Sequence, residues 1–209
     1  MIVNELITGY LASLAHELPP ELETLKIRAR AGQVPIIRDD MLEFIRFLLM
    51  KEKPKTILEI GTAVGFSALF MHSVLPQARI TTVEKVEMRL REARKNLEGS
   101  GIELIEGDAE EVLAKLEGSY DMIFLDAAKG QYGKFLPDCK RLLSPGGVML
   151  TDNVLLEGTI AGSRFAVERR DRTIHERMRN YLRELTHTEG YVTVIIPVGD
   201  GAALTYKEL

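Results

Sequence analysis

The chain has 209 residues, 45% hydrophobic and 28% charged, with one Cys and no Trp. That length fits one domain, and the apolar fraction excludes a disordered chain. The single cysteine, Cys139, excludes an internal disulfide framework and a cysteine-based zinc cluster. Lys and Arg number 27 against 31 Asp and Glu, a formal net charge of −4. The molecule is therefore no polycation that coats nucleic acid, although a local basic face is compatible with it.

Pro19-Pro20 is expected to break a first helix over roughly 2–18. That helix has apolar residues at helical spacing and no leading positive charge, unlike a secretory signal. A second helix over 21–31 ends near Gly32, and a third runs over 39–50 with Asp39 or Asp40 as its cap. The densest apolar run, Leu42 to Met50, holds Arg46 and is shorter than the roughly 20 residues of a membrane span. The expected setting is the cytoplasm, with no membrane partner.

From residue 53 the pattern changes. Strand-like runs at 55–60, 79–84, 102–105, 120–126 and 147–152 alternate with helical patterns at 66–75, 86–98, 109–116 and 132–143. Repeated β-then-α units imply a parallel sheet with helices on both faces. A long polar helix over 165–187 precedes a strand at 191–196. Gly199-Asp200-Gly201 then reads as a tight turn into a last strand at 203–206, an antiparallel pair. The fold class is thus α/β: a helical cap over 1–52 and an α/β core over 53–209 in a single domain.

In open α/β sheets, ligands sit beyond the carboxyl ends of the strands. The first such turn is Gly61-Thr62-Ala63-Val64-Gly65, a G-x-x-x-G. It is neither the G-x-G-x-x-G of dinucleotide binding nor a P-loop. Gly61 permits a sharp turn and close approach to a ligand, although both glycines also fit a role in turning the chain alone. Glu84 ends the second strand, where a carboxylate can accept both ribose hydroxyls. Asp108 follows the third strand, where a carboxylate can accept from an adenine amino group. An adenosine ligand without pyrophosphate fits this set, and S-adenosylmethionine is the common one.

Asp126 ends the fourth strand and Asp152-Asn153 the fifth. Neighbouring parallel strands lie about 4.8 Å apart. If these two pair, three oxygen donors converge into a hard site suited to Mg²⁺ or another divalent cation. Taken singly, each aspartate also reads as a loop cap. Lys129, three residues after Asp126, is a candidate general base or a plain loop lysine.

These motifs carry a family resemblance over almost the whole chain. Leu58-Glu-Ile-Gly61-Thr-Ala-Val-Gly65-Phe-Ser67, Asp126-Ala-Ala-Lys129, Asp152-Asn153-Val-Leu and Pro197-Val-Gly-Asp-Gly201 together resemble the cation-dependent class I O-methyltransferases of the catechol and caffeoyl-CoA type. Val34-Pro35-Ile36, the run from Ala127 to Tyr132, and Gly158 after Asp152-Asn153-Val-Leu look most like the bacterial tRNA 5-hydroxyuridine methyltransferases. The resemblance implies a Rossmann-like, seven-stranded, mostly parallel sheet and a homodimer. It implies that Glu59, Gly61, Thr62 and Ser67 line the methionine end of S-adenosylmethionine and that Ile37 touches the cofactor from the cap. Glu84 would hold the ribose, and Asp108 and Ala109 would flank the adenine. Asp126, Asp152 and Asn153 would bind Mg²⁺, with Asp126 also beside the cofactor, and Lys129 would take the hydroxyl proton. One departure is Asp126-Ala-Ala-Lys129, where plant caffeoyl-CoA enzymes read Asp-x-Asp-Lys.

The acceptor has two expected forms. A small catechol-like phenol chelates a cation through neighbouring oxygens, and so does 5-hydroxyuridine of a tRNA anticodon loop. Seven arginines between Arg164 and Arg183, against Glu168, Asp171 and Glu176, lean towards RNA. Arg164, Arg169, Arg170 and Arg172 are the candidate RNA contacts. A solvated helix with pairs such as Glu168 and Arg172 fits the same segment.

Overall fold

The computed structural model describes residues 4–209. The cap comes first, as α1 (Glu5–Ser13), α2 (Pro20–Ala31) and α3 (Asp39–Glu52). α1 begins where the Asn4 side chain accepts the Leu6 N–H, satisfying one of the free donors of a helix start. It is shorter than the expected 2–18. Residues 1–3 lie outside the described residues, and the chain leaves the helix at Leu14. α1 leaves Leu6, Ile7, Tyr10 and Leu11 exposed, so it buries little that would extend it.

The core alternates β1 (Thr56–Ile60), α4 (Phe66–Val74), β2 (Arg79–Glu84), α5 (Glu87–Leu97), β3 (Glu103–Glu106), α6 (Ala109–Lys115), β4 (Tyr120–Leu125), α7 (Tyr132–Leu142) and β5 (Leu143–Thr151). It closes with α8 (Arg172–His187), β6 (Tyr191–Ile196) and β7 (Ala202–Lys207). The seven strands form one sheet in the order β3-β2-β1-β4-β5-β7-β6. β1 to β5 pair in parallel, while β7 is antiparallel to both β5 and β6. β5 starts earlier than expected, because Leu143 already pairs with Tyr120 before an irregularity shifts the register to Val148 opposite Met122.

Alternation along the strands builds two cores. Ile57, Met122, Phe124, Val148 and Leu150 pack towards α3 and α4, and Leu58, Ile60, Ile123, Leu125 and Met149 towards α7 and α8. Fully burying one such side chain contributes about 1.5–3 kcal/mol. α8 buries a stripe of His175, Met178, Tyr181 and Leu185, at helical spacing. It starts at Arg172, not at 165. No apolar residue continues the stripe upstream, where Glu168 and Asp171 stand, and 164–166 forms a separate 3₁₀ turn. Glu168 therefore pairs with Arg170 rather than Arg172. Among the described residues no helix is long and apolar enough to cross a membrane.

β1 has β2 on one side and β4 on the other, so successive connections leave it in opposite directions. That switch point opens a crevice at the carboxyl ends of the strands.

Candidate active site

The crevice is a cleft of about 500 Å³, bounded by the β1, β2, β4 and β5 strand ends and by Ile37 and Arg38 of the cap. Gly61 turns with φ +108°, and a Cβ there would overlap the Asp126 carbonyl oxygen. The close approach this glycine permits is thus to the end of β4, which closes the floor by donating Asp126 N–H to Ile60 O at 3.0 Å. Gly65, φ +85°, seats against Leu97 of α5. Thr62, Ser67, Ala109 and the buried Ile37 all line the cleft.

Glu84 lines it too, with its carboxylate fixed. One oxygen accepts from the Ala63 N–H, the other from Lys85 and Val86 N–H, each at 2.9 Å. Asp108 stands off the cleft wall. Its carboxylate caps α6 through the Glu110 N–H at 2.9 Å and pairs with Lys85 Nζ at 2.9 Å. That lysine, foremost, holds its carboxyl below the usual range. Glu59 lies behind the wall with no exposure. Thr62 and Thr82 hydroxyls are 2.6 Å apart, and Thr82 donates onward to Glu59 Oε2. Burial pushes the Glu59 carboxyl up to about 7, opposed by the Ser67 and Thr82 hydroxyls and reinforced by Asp126 and Glu84. Glu59 Oε1 has no hydrogen-bond partner.

Asp126, Asp152 and Asn153 do converge. Asn153, held at φ +62°, donates its amide Nδ2 to Asp126 Oδ1 at 3.1 Å and its backbone N–H to Asp152 Oδ1 at 2.6 Å. Burial raises both aspartyl carboxyls, and the charge of Asp126 adds to the rise at Asp152. Tyr132 hydroxyl supports the turn by donating to Asp152 O at 3.1 Å. Among the described residues no three His, Cys, Asp or Glu side chains gather for a metal. A cation held here would need the Asn153 amide oxygen as its third donor, turned in where Nδ2 now faces Asp126. Two buried, mutually repelling carboxylates with a neutral amide suit a hard divalent ion, which offsets their charge.

Lys129 enters the cleft in a short 3₁₀ turn (Lys129–Gln131). Its Nζ lies 3.2 Å from Asp200 Oδ2. Asp200 also lines the cleft. The sequence places it in a turn and in the family motif Pro197-Val-Gly-Asp-Gly201, and neither assigns it a role in the site. That Pro-Val-Gly-Asp-Gly motif was its one available signal. Arg38, Lys85 and Arg89 add positive charge to the cleft wall.

The four candidate RNA arginines stand outside the cleft. Arg164 pairs with Glu176 at 3.1 Å and Arg170 with Glu168 at 3.0 Å. Arg172 donates to Val167 O at 3.2 Å and lies over the ring of Phe165, 5.9 Å from its centroid. Arg169 is exposed. Further along α8, Arg177 reaches Gly130 O at 3.2 Å, next to Lys129.

An α/β sheet with an antiparallel last pair, a ligand cleft at its switch point and paired aspartates at two strand ends defines a methyltransferase-like architecture. Residues 11–208 match the model of the O-methyltransferase family. A catechol O-methyltransferase of Niastella koreensis is 30% identical over 169 residues, 76% of this chain and 76% of that protein. A Staphylococcus aureus structure provisionally described as a caffeoyl-CoA O-methyltransferase superposes with a TM-score of 0.90 at 33% identity, covering 97% of this chain and all of that one. The SAH-bound Podospora anserina methyltransferase PaMTH1 gives 0.89 at 26% identity, covering 99% and 97%. The chain belongs to the O-methyltransferase family, enzymes that move a methyl group onto an oxygen atom.

Proposed function

We propose that this protein is an S-adenosylmethionine- and divalent-cation-dependent O-methyltransferase that converts 5-hydroxyuridine at the tRNA wobble position to 5-methoxyuridine. The observation that carries the chemistry is the meeting of Asp126, Asp152, Asn153 and Lys129 on one cleft floor. The SAH carried by the Podospora relative supports the cofactor. Glu84, fixed by three backbone donors, presents its one remaining acceptor site, on Oε2, to the ribose. Ser67, which lines the cleft, suits the cofactor's methionine end.

Asp126, Asp152 and the Asn153 amide would hold the cation, which when bound supplies Lewis-acid stabilisation of an oxyanion. The acceptor hydroxyl gives its proton to Lys129 Nζ, the freed oxygen takes the methyl carbon, and the carbon–sulfur bond breaks. A 5-hydroxyuracil places its O4 carbonyl beside the reacting hydroxyl, as catechol places its second hydroxyl.

Two surface features favour RNA over a small phenol. Phe165 is 82% exposed with Arg172 against its ring, a pairing suited to stacking an unpaired base. Arg38, Lys85 and Arg89 suit phosphate next to the cleft. The names of the catechol relatives support the second reading, a small diphenol acceptor. Mass spectrometry of tRNA nucleosides from cells with and without the protein separates them. Loss of 5-methoxyuridine with gain of 5-hydroxyuridine supports RNA, whereas unchanged tRNA and efficient turnover of catechol favours the diphenol.

The reading includes a homodimer and a cytoplasmic setting. Leu6, Ile7, Tyr10 and Leu11 of α1 are exposed beside α3, which itself exposes Phe47 and Met50. A second copy would cover them. A monomer by sedimentation would remove that part.

A further inference from the structure

We infer that Asp200 is a positioning residue for methyl transfer, the anionic partner that places Lys129 and holds the ammonium formed when it takes the acceptor proton. The inference rests on the proton-acceptor role proposed for Lys129 and adds a residue to it. Asp200 is almost fully buried, yet its carboxylate is in contact with the cleft. Its Oδ2 faces Lys129 Nζ at 3.2 Å, and its Oδ1 accepts the Glu157 N–H.

The placement is over-determined from three directions. Asp200 backbone O accepts the Leu155 N–H at 3.0 Å. Gly199 N–H, one residue earlier, donates to Asp40 Oδ2 of the cap at 2.9 Å. Gly201, at φ +82°, packs so tightly that any Cβ would overlap Leu155. The carboxylate also fastens a strained turn, since Leu156, Glu157 and Gly158 have φ of +48°, +54° and +85°. Lysine, by contrast, has four rotatable side-chain bonds and pays for being fixed. The rigid partner is the aspartate, and the lysine conforms to it.

The chemistry follows. Lys129 first gives its resting ammonium proton to solvent. The acceptor O–H bond then breaks, its proton and the freed Nζ lone pair form an N–H bond, and the positive charge so restored sits against an anion already in place. The arrangement parallels the acid that orients and steadies the base of a catalytic triad. Preorganised charge of this kind costs no rearrangement at the moment of reaction.

The test uses the full chain with S-adenosylmethionine and Mg²⁺, assayed on catechol and on an RNA stem-loop carrying 5-hydroxyuridine. Lys129→Ala should lower kcat by about 100-fold or more. Asp200→Asn, which keeps an oxygen for the Glu157 N–H, should lower kcat by about tenfold or more with cofactor Kd unchanged. In the double variant Asp200→Asn should cost nothing beyond Lys129→Ala. A second readout needs no turnover. In protein free of metal and cofactor, held below the melting transition of each variant, acetic anhydride should label Lys129 several-fold faster in Asp200→Asn than in the wild type, with Lys134 unchanged. Multiplying losses in the double variant, or unchanged Lys129 labelling, overturns the role of Asp200 alone. A normal kcat in Lys129→Ala overturns the lysine's role and this inference with it.

Discussion

The Glu59 carboxyl, closed off from water, is raised by that burial to about 7 from a usual 4.5. Between those values the folded chain keeps a proton that the unfolded chain releases. Stability therefore falls as pH rises through this window and is lowest, for this group, above about 7. A shift of this size corresponds to about 3 kcal/mol, an upper figure. Glu59→Gln removes the charge and keeps an acceptor for Thr82. In urea unfolding without cofactor or metal, the variant should match the wild type near pH 5 and exceed it by as much as about 3 kcal/mol at pH 8. An equal difference at both pH values would show that Glu59 stays ionised throughout.

At the same scale, the sequence revealed some residues and hid others for definite reasons. Asp126, Asp152 and Asn153 end apolar runs, and strand ends are readable when the run itself is. Glu59 interrupts such a run, but its depth depends on α4 and β2 closing over it, with Thr82 directly opposite in the register. Asp108 was visible as a strand-end acid, yet its carboxylate is engaged by Lys85, a residue 23 positions away. Asp200 meets Leu155, Glu157 and Lys129 only after β7 inserts between β5 and β6. No local pattern encodes those contacts.

At the scale of elements, the site depends on β4 and β5 being neighbours. Leu125 pairs with Thr151, which brings the residues after each strand side by side. Folding thereby places two carboxylates together at a cost that a cation would repay. Mg²⁺ should raise the melting temperature, and by more at pH 8 than at pH 5, because the ligands bind it only when ionised. Asp126→Asn should abolish the Mg²⁺ increment while raising the metal-free melting temperature, since one of the two repelling charges is gone. A Mg²⁺ effect of equal size in the variant would place the ion elsewhere. The β-then-α alternation was legible because each run has its own period. The start of α8 was not, because 165–171 is charged enough for a helix surface but has no stripe to bury.

For the whole molecule, a net charge of −4 sets the background against which RNA must bind, so the local field decides. The basic segment from Arg164 to Arg172 is partly neutralised by Glu168, Asp171 and Glu176. Arg169 and the Arg172–Phe165 stack remain to face a ligand. Each phosphate contact on a single strand contributes about 0.7 to the slope of log K against log salt. Reversing Arg169, Arg170 and Arg172 to Glu should weaken binding of an anticodon stem-loop and flatten that slope by about 1.4, the share of the two arginines free to meet phosphate. Phe165→Ala should weaken binding by about 1–3 kcal/mol with the slope intact, since stacking releases no counterions. None of these four side chains lines the cleft, so turnover of catechol should be unchanged in every variant. Exposed ion pairs of this kind contribute at most about 1 kcal/mol, so the fold should tolerate the reversals. Stem-loop binding with an unaltered salt slope would mean that RNA approaches over another face, leaving the cations at Arg38, Lys85 and Arg89 as the next surface to reverse.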